Sequence, residues 1–174
     1  GDMRGVAAAY NSYIDRFRAI PGDETLITMT NRGWPSTANG NANGVLNVLP
    51  AATFTNAGEQ IGFWQALRGA GFTTGNPAAG GTAANLPRAG TGGLIGVSVG
   101  PYGLVNPSVC VSALTTVQAR GVDALFDTAE SNILGASRGA TNAANPLAPT
   151  AAAPALTAFN EAITLTPWTL CRSL

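Results

Sequence analysis

Histidine is absent from the 174 residues of this sequence. Because histidine is the commonest general base and metal ligand at neutral pH, its absence excludes a Ser-His-Asp triad, a Cys-His pair and a zinc site. Lysine is absent too, and nine arginines balance nine acidic residues to a formal net charge of zero. Electrostatic capture of nucleic acid or of an anionic membrane surface therefore has little to act on, and we expect no nucleic-acid partner.

Cysteine occurs twice, at Cys110 and Cys171, 61 positions apart. The spacing fits neither a CxxC redox motif nor a four-cysteine zinc site, so the pair forms either one disulfide or two buried free thiols. A bridge closing a loop of that length would contribute about 4 kcal/mol to the free energy of unfolding. We expect the bridge, and with it an oxidising compartment. Two inert thiols in a cytosolic protein are the alternative.

A run of 18 apolar residues is also lacking, as is a secretory signal pattern. Hydrophobic residues nevertheless make up 45% of the chain, which is enough for a core in a domain of this size. Glycine (22 residues) and proline (11 residues) are frequent, which predicts much turn and loop structure. We expect one domain.

The N-terminal segment carries an apolar stripe at helical spacing. Pro21 cannot continue a helix and disfavours helical geometry at Ile20, so we expect the helix to end near Ala19. The stripe starts at the third residue without an N-cap before it, which is typical of the second half of a longer helix. An ordinary first helix with a frayed start is the alternative. The stripe consists of Met3, Val6, Tyr10, Tyr13, Ile14 and Phe17.

Residues 21–56 have a loop-like composition, with a hairpin turn possible at Asn39-Gly40 or Asn43-Gly44. Asn56 and Glu59 are spaced as a capping box for a second helix that Gly69 ends. Residues 73–93 are glycine-rich but lack the context of a phosphate-binding loop, so we expect an irregular surface loop.

After residue 93 the pattern changes to that of short strands. The segments "LIGVSVG" (94–100), "YGLV" (102–105) and "VCVSAL" (109–114) are rich in branched residues and predict an antiparallel meander. Thr116 is placed to cap a third helix, and residues 136–156 have the composition of an exposed excursion. The last apolar segment, "AITLTPWTLC", predicts an edge strand, because proline is tolerated at a sheet edge.

Three segments, taken in order, resemble the type IV pilin and type II secretion pseudopilin superfamily. "YNSYIDRFRAIPGDE" is similar to the end of its long first helix and the turn that follows. "GEQIGFWQALRGAGF" is similar to its aromatic helix, and "VCVSALTTVQARGVDALFDTAESNILGASRG" to its cysteine strand and third helix. Family members begin with a processing site and about 20 apolar residues. That segment is missing from this sequence, and we interpret the sequence as a head from which the membrane half of the helix was trimmed.

The resemblance implies a fold and an assembly. The fold is α+β: an N-terminal helix packed on an antiparallel sheet, with short helices and long loops. One head would cover 1–174, with the second half of the long helix at 1–20 and the loops, second helix, sheet and disulfide-tied C-terminal region at 21–174. The residues implied to pack this helix on the sheet are Met3, Val6, Tyr10, Ile14 and Phe17.

The implied function is that of a filament subunit, without catalysis or a cofactor. Its partners would be other pilin or pseudopilin subunits and the inner-membrane assembly machinery. It would lie in the bacterial inner membrane before assembly, through the missing helix alone, and in a periplasmic or extracellular filament afterwards. An adhesin or binding module using the Asn/Gly-rich loops at 31–44 and 73–93 is the alternative.

Some secretion pseudopilins carry calcium after the third helix. Many relatives have Asp-Asp-Gly in that turn, whereas this chain has Glu130, Ser131 and Asn132. Asp127, Glu130 and Asn132 could supply oxygen ligands. We favour solvated turn residues, so the expected metal set is empty.

Overall fold

The computed structural model of the chain describes residues 2–80, 82–126, 131–156, 159 and 166–174. Within these ranges the protein is α+β, with four α-helices and four strands in one antiparallel sheet. The helices are α1 (Asp2–Phe17), α2 (Leu26–Asn31), α3 (Glu59–Gly69) and α4 (Thr116–Phe126). The strands are β1 (Ile95–Val99), β2 (Pro107–Leu114), β3 (Ser137–Thr141) and β4 (Trp168–Ser173).

The chain divides into two compact units, which we name the helical unit and the sheet unit. The helical unit is Gly1–Val48 with Thr55–Leu86, and the sheet unit is Leu49–Phe54 with Pro87–Leu174. The single head over 1–174 and the packing of α1 on the sheet both stay predictions.

The helical unit is built from α1, α2 and α3. The amphipathic pattern predicted α1 correctly: Met3, Val6 and Tyr13 are buried while Asp2, Arg4 and Asn11 on the other side are exposed. Within the unit α1 contacts α3, and the rings of Tyr10 and Phe63 stack with centroids 6.2 Å apart. The stripe therefore has partners among helices and aromatic residues of its own unit.

The sheet unit is organised around the strand order β1-β2-β4-β3. Every neighbouring pair is antiparallel, and Cys110 of β2 lies directly opposite Cys171 of β4. The two sulfurs form the predicted disulfide, and both cysteines are fully buried. Trp168 donates a hydrogen bond from its Nε1 to Thr116 Oγ1 at 3.1 Å, which ties α4 to the middle of the sheet.

The prediction of β4 as an edge strand is wrong, because β4 is paired on both sides. Pro167 precedes the strand, so its missing N–H removes no hydrogen bond from the ladder. The edge on that side is β3, which lies in the segment expected to be an exposed excursion.

The expected strand 102–105 is also absent. A 3₁₀ turn, Pro101–Gly103, occupies its first residues, and Tyr102 there has a left-handed φ of 53° that a strand excludes.

The helix caps differ from those expected. Asn56 has a left-handed backbone and Gly58 is the N-cap of α3, so Asn56 and Glu59 form no capping box. For α4 the capping box exists one residue earlier than predicted. Thr115 Oγ1 accepts from the Gln118 backbone N–H at 3.2 Å, and Gln118 Oε1 accepts from the Thr115 N–H at 2.9 Å.

The segment expected to be loop from 21 to 56 contains a further helix, α2. Thr25 caps it, its Oγ1 accepting from the Thr28 N–H at 3.3 Å. No strand lies at either Asn-Gly pair, so the prediction of a possible hairpin there is wrong.

Among the helices that the structure describes, none has both the length and the apolar composition needed to cross a bilayer.

Candidate functional site

A cluster of polar side chains in the helical unit joins α1 to the residues that flank α2. Glu24 is buried and forms an ion pair with Arg32, in which both guanidinium nitrogens donate to its two carboxylate oxygens. Tyr13, fully buried on α1, donates its hydroxyl hydrogen to Glu24 and accepts from Arg32 Nη1 at 2.9 Å. Burial raises the pKa of Tyr13 well above its ordinary value, and the hydrogen bond to Glu24 raises it further. The phenol therefore stays protonated and serves as a donor.

Aromatic rings enclose the guanidinium of this cluster. Arg32 lies 4.5 Å from the centroid of Phe17 and 5.2 Å from that of Trp34. The two rings meet edge to face at 5.3 Å. A guanidinium over aromatic faces gains cation–π attraction, which adds to the ion pair. The cluster therefore fixes the positions of α1, α2 and the start of the following loop relative to one another.

The acid before Glu24 organises the Asn/Gly-rich loop. The Ala42 N–H donates to the backbone carbonyl of Asp23 at 2.7 Å. Asn43 N–H donates to Asp23 Oδ1 at 3.0 Å and Gly44 N–H donates to Oδ2 at 2.8 Å. The loop passes so close that a Cβ on Gly40 would lie 2.2 Å from the carbonyl carbon of Asp23, so only glycine fits.

A half-open cavity of about 320 Å³ lies beside this loop. Two of its lining residues, Arg18 and Ala42, have left-handed φ angles of 54°, which is uncommon for residues with a side chain. The lining mixes aliphatic groups, hydroxyls and charges, and it consists of Arg18, Ala19, Ile20, Asp23, Glu24, Thr25, Thr28, Ala42 and Gly44.

Gln65 of α3 brings together the two loops predicted for the adhesin alternative. Its Oε1 accepts from Ser36 Oγ at 2.9 Å and from the Thr37 N–H at 3.0 Å. Its Nε2 donates to Thr37 Oγ1 at 3.2 Å and to the Ala78 carbonyl at 3.3 Å. One buried amide therefore connects the loops 31–44 and 73–93. Arg68, one turn later, extends the anchoring by donating to the Asn85 carbonyl at 2.7 Å.

The residues predicted to pack α1 on the sheet differ in exposure. Met3 and Val6 are buried, whereas Tyr10, Ile14 and Phe17 are half-buried. Phe17 contacts Tyr13, with ring centroids 4.7 Å apart. Their packing against the sheet stays a prediction.

Of the three residues that could supply calcium ligands, Asp127 and Glu130 lie outside the described residues. Asn132 is buried, and its Nδ2 donates to the Gly139 and Ala155 carbonyls, both at 2.9 Å. Its amide nitrogen therefore links β3, which contains Gly139, to the segment around Ala155. In the part of the chain that the structure describes, no group of three or more Cys, Asp or Glu residues is arranged to hold a metal ion.

Sequence reasoning missed Asp23, Glu24, Arg32 and Gln65 as organising residues. The one signal for the first two is their position as consecutive acids after Pro-Gly, where one captures backbone N–H groups and the other captures an arginine. Compared with known proteins, the chain matches no family model, no curated protein and no solved structure.

Proposed function

We propose that this chain is the globular part of a filament subunit, either a pilin, a minor pilin or a pseudopilin of the type IV pilus and type II secretion class. The proposal rests on the three sequence segments that resemble this superfamily. It is supported by the order of parts in the structure. An N-terminal amphipathic helix is followed by the aromatic helix α3, and then by an antiparallel sheet whose last strand is bonded to β2 through Cys110 and Cys171.

The observation that carries the proposal is the two-sided surface of α1. One side is buried through Met3, Val6, Ala9 and Tyr13. The other side is exposed along the helix and carries small residues such as Gly5, Ala8 and Ser12 among its charges. Small exposed residues let a second helix approach closely, as subunit packing along a filament axis requires.

In this proposal the subunit is held in the bacterial inner membrane by an apolar helix that precedes α1. Assembly machinery then moves it into a periplasmic or extracellular filament, where its partners are other pilin or pseudopilin subunits. The role is structural and involves no turnover and no cofactor. The disulfide is compatible with it, because such bonds persist in oxidising compartments.

The first test is the full reading frame. The proposal requires a processing site and about 20 apolar residues directly before α1, a length that spans a bilayer. A frame without that segment would overturn the proposal.

The second test is assembly in a bacterium that carries the machinery. We expect the processed protein in sheared filaments. We expect Ala8→Arg to abolish incorporation, because a long charged side chain would separate neighbouring helices, while the circular dichroism of the soluble head stays unchanged. Ala8→Ser is the matched control and should assemble. Equal incorporation of both variants would contradict a role of this helix face.

A binding module is the second candidate, favoured by the link that Gln65 makes between the two Asn/Gly-rich loops. Preorganised loops lose less entropy when they bind. A screen of the soluble protein against glycans and surfaces tests this candidate. Binding that Gln65→Ala weakens would support it, and the absence of any binding would remove it.

A further inference from the structure

The loop around Asp23 contains two Asn-Gly dipeptides, Asn39-Gly40 and Asn43-Gly44. Asn-Gly is the dipeptide most prone to cyclise, because glycine leaves the backbone nitrogen unhindered and free to approach the asparagine side chain. The two dipeptides have the same composition but different hydrogen bonds. This difference in hydrogen bonding distinguishes the two sites.

At Asn43-Gly44 the backbone nitrogen and the side-chain amide both have hydrogen-bond partners that suit cyclisation. The Gly44 N–H points at a carboxylate, with Asp23 Oδ2 2.8 Å from the nitrogen. Asn43 Oδ1 accepts from the Val45 N–H at 2.9 Å, and this side-chain turn holds the Asn43 amide against its own backbone two residues on. Asp23 is 4% exposed, so its position is fixed by the protein, while Asn43 and Gly44 are open to water.

We propose that Asn43 is a self-modification site, at which the Gly44 nitrogen displaces the Asn43 side-chain amide with Asp23 as the base. Asp23 Oδ2 takes the Gly44 amide proton, and the nitrogen forms a bond to Asn43 Cγ. The oxyanion that develops on Oδ1 keeps its hydrogen bond from the Val45 N–H. The proton passes to the Asn43 side-chain nitrogen, the Cγ–N bond breaks and ammonia leaves. Water then opens the cyclic imide to aspartate or isoaspartate, and no electrons are transferred.

The geometry is consistent with the stereochemistry of the attack. The amide proton lies in the plane of the peptide, where Asp23 receives it. The electron pair that attacks Cγ is perpendicular to this plane. A base that takes the proton within the peptide plane therefore does not block attack on Cγ from above or below that plane.

Asn39-Gly40 has the opposite arrangement. The Gly40 N–H donates to the neutral backbone carbonyl of Glu24 at 3.0 Å, which is no base. Asn39 Oδ1 accepts from the Leu26 N–H at 3.1 Å, which holds the side chain toward α2. Gly40 is also buried against Asp23. The chain thus supplies an unreactive internal control with the same dipeptide.

The modification would change the surface of the helical unit. It replaces a neutral amide by a carboxylate, and the isoaspartate product also lengthens the backbone by one methylene group. The new charge would stand beside Asp23 at the rim of the cavity, of which Gly44 is a lining residue. The reaction would therefore alter the loop irreversibly as the protein ages.

The deciding experiment compares the folded protein with a synthetic peptide of residues 36–48 in the same neutral buffer. Peptide mapping by mass spectrometry follows both dipeptides over time and separates aspartate from isoaspartate. We expect Asn43 to react faster in the folded protein than in the peptide, and Asn39 to react more slowly. Slower reaction of Asn43 in the folded protein would overturn the proposal, because the loop would then protect the site.

A second experiment tests the base. Asp23→Asn should slow the reaction on the order of 100-fold, the lower end of what a positioned base contributes. Asn41→Ala is the matched control, since Asn41 Oδ1 also accepts from the Asn43 N–H, at 3.1 Å, but does not touch Gly44. Equal rates in wild type and a folded Asp23→Asn variant would overturn the role of the carboxylate.

If Asp23→Asn does not fold, hydroxylamine treatment of the wild-type protein tests where the ring forms, because hydroxylamine cleaves the chain at a cyclic imide. Cleavage between Asn43 and Gly44 supports the proposal, and preferential cleavage after Asn39 contradicts it.

Discussion

The helical unit and the sheet unit differ in the interactions that stabilise each of them internally. In the helical unit, buried polar side chains such as Asp23, Glu24 and Gln65 bind backbone groups of irregular segments. In the sheet unit, side-chain bonds such as that of Trp168 are joined by main-chain ladders between the four strands and by one disulfide. A ladder tolerates most side chains, whereas a side-chain anchor depends on one residue. We therefore expect single substitutions to be more damaging in the helical unit, with the cysteines as the exception in the sheet unit.

The largest effect is expected from the disulfide. Replacing Cys110 and Cys171 together by alanine should lower the free energy of unfolding by about 4 kcal/mol, because the unfolded chain gains the freedom of a long loop. Denaturant unfolding followed by the fluorescence of Trp168, the tryptophan of the sheet unit, measures this. Since both cysteines are fully buried, a reductant without denaturant should leave the wild type unchanged. Rapid reduction of the native protein would contradict this burial.

The next largest effect is expected at Glu24. Glu24→Gln should lower the free energy of unfolding by about 2 kcal/mol, because Arg32 loses a charged acceptor. Tyr13→Phe keeps the ion pair and should cost about 1 kcal/mol. Trp34 and Trp64, the tryptophans of the helical unit, report the transition. A larger loss for Tyr13→Phe than for Glu24→Gln would contradict the larger contribution that we assign to the ion pair.

Alkaline pH should weaken both units by the same mechanism. Burial raises the pKa of Tyr13 in the helical unit and of Tyr102 in the sheet unit above the ordinary value of 10.0. Below pH 10 each phenol is protonated in both states, and above it the unfolded state loses the proton first. The free energy of unfolding should then fall by about 1.4 kcal/mol per pH unit for each tyrosine.

Denaturant unfolding over this alkaline range measures the slope. Tyr102→Phe and Tyr13→Phe should each reduce this slope by the contribution of one tyrosine. Burial also raises the pKa of Tyr10, so this tyrosine contributes to the slope as well. An unchanged slope in both variants would contradict the assignment.

The smallest effect is expected at Thr115. Thr115→Ala removes the oxygen that accepts the Gln118 N–H at the start of α4, and should lower the free energy of unfolding by about 1 kcal/mol. Thr115→Ser keeps the oxygen and serves as the control. Equal stability of Thr115→Ala and Thr115→Ser would show that the cap does not contribute.

The sequence predicted the elements whose stabilising residues lie within the element. The apolar stripe indicated α1, the branched residues indicated β1 and β2, and both helices after Gly58 were expected within a few residues of their bounds. The cysteine count led to the disulfide. For the helices and strands the stabilising pattern is local and therefore visible in the sequence, while for the disulfide the chain has only two cysteines and hence one possible pair.

The features that were missed depend on distant partners. β3 has the sequence "SRGAT", without the alternation of a strand, and is extended because β4 pairs with it. α2 is only six residues long, and Thr25 and the Tyr13 cluster hold it. The roles of Asp23 and Gln65 depend on loop residues that meet them only in the folded chain. No sequence pattern encodes such pairings.

The position of β4 between β2 and β3 has a consequence for synthesis. Ribosomes make the chain from its amino end, so three strands of the sheet emerge before the one that joins two of them. Until residues 168–173 leave the exit tunnel, β2 and β3 each lack a neighbour and present unpaired peptide groups. The nascent sheet is therefore exposed to wrong pairing until β4 emerges, and a chaperone holding β2 would favour the correct product.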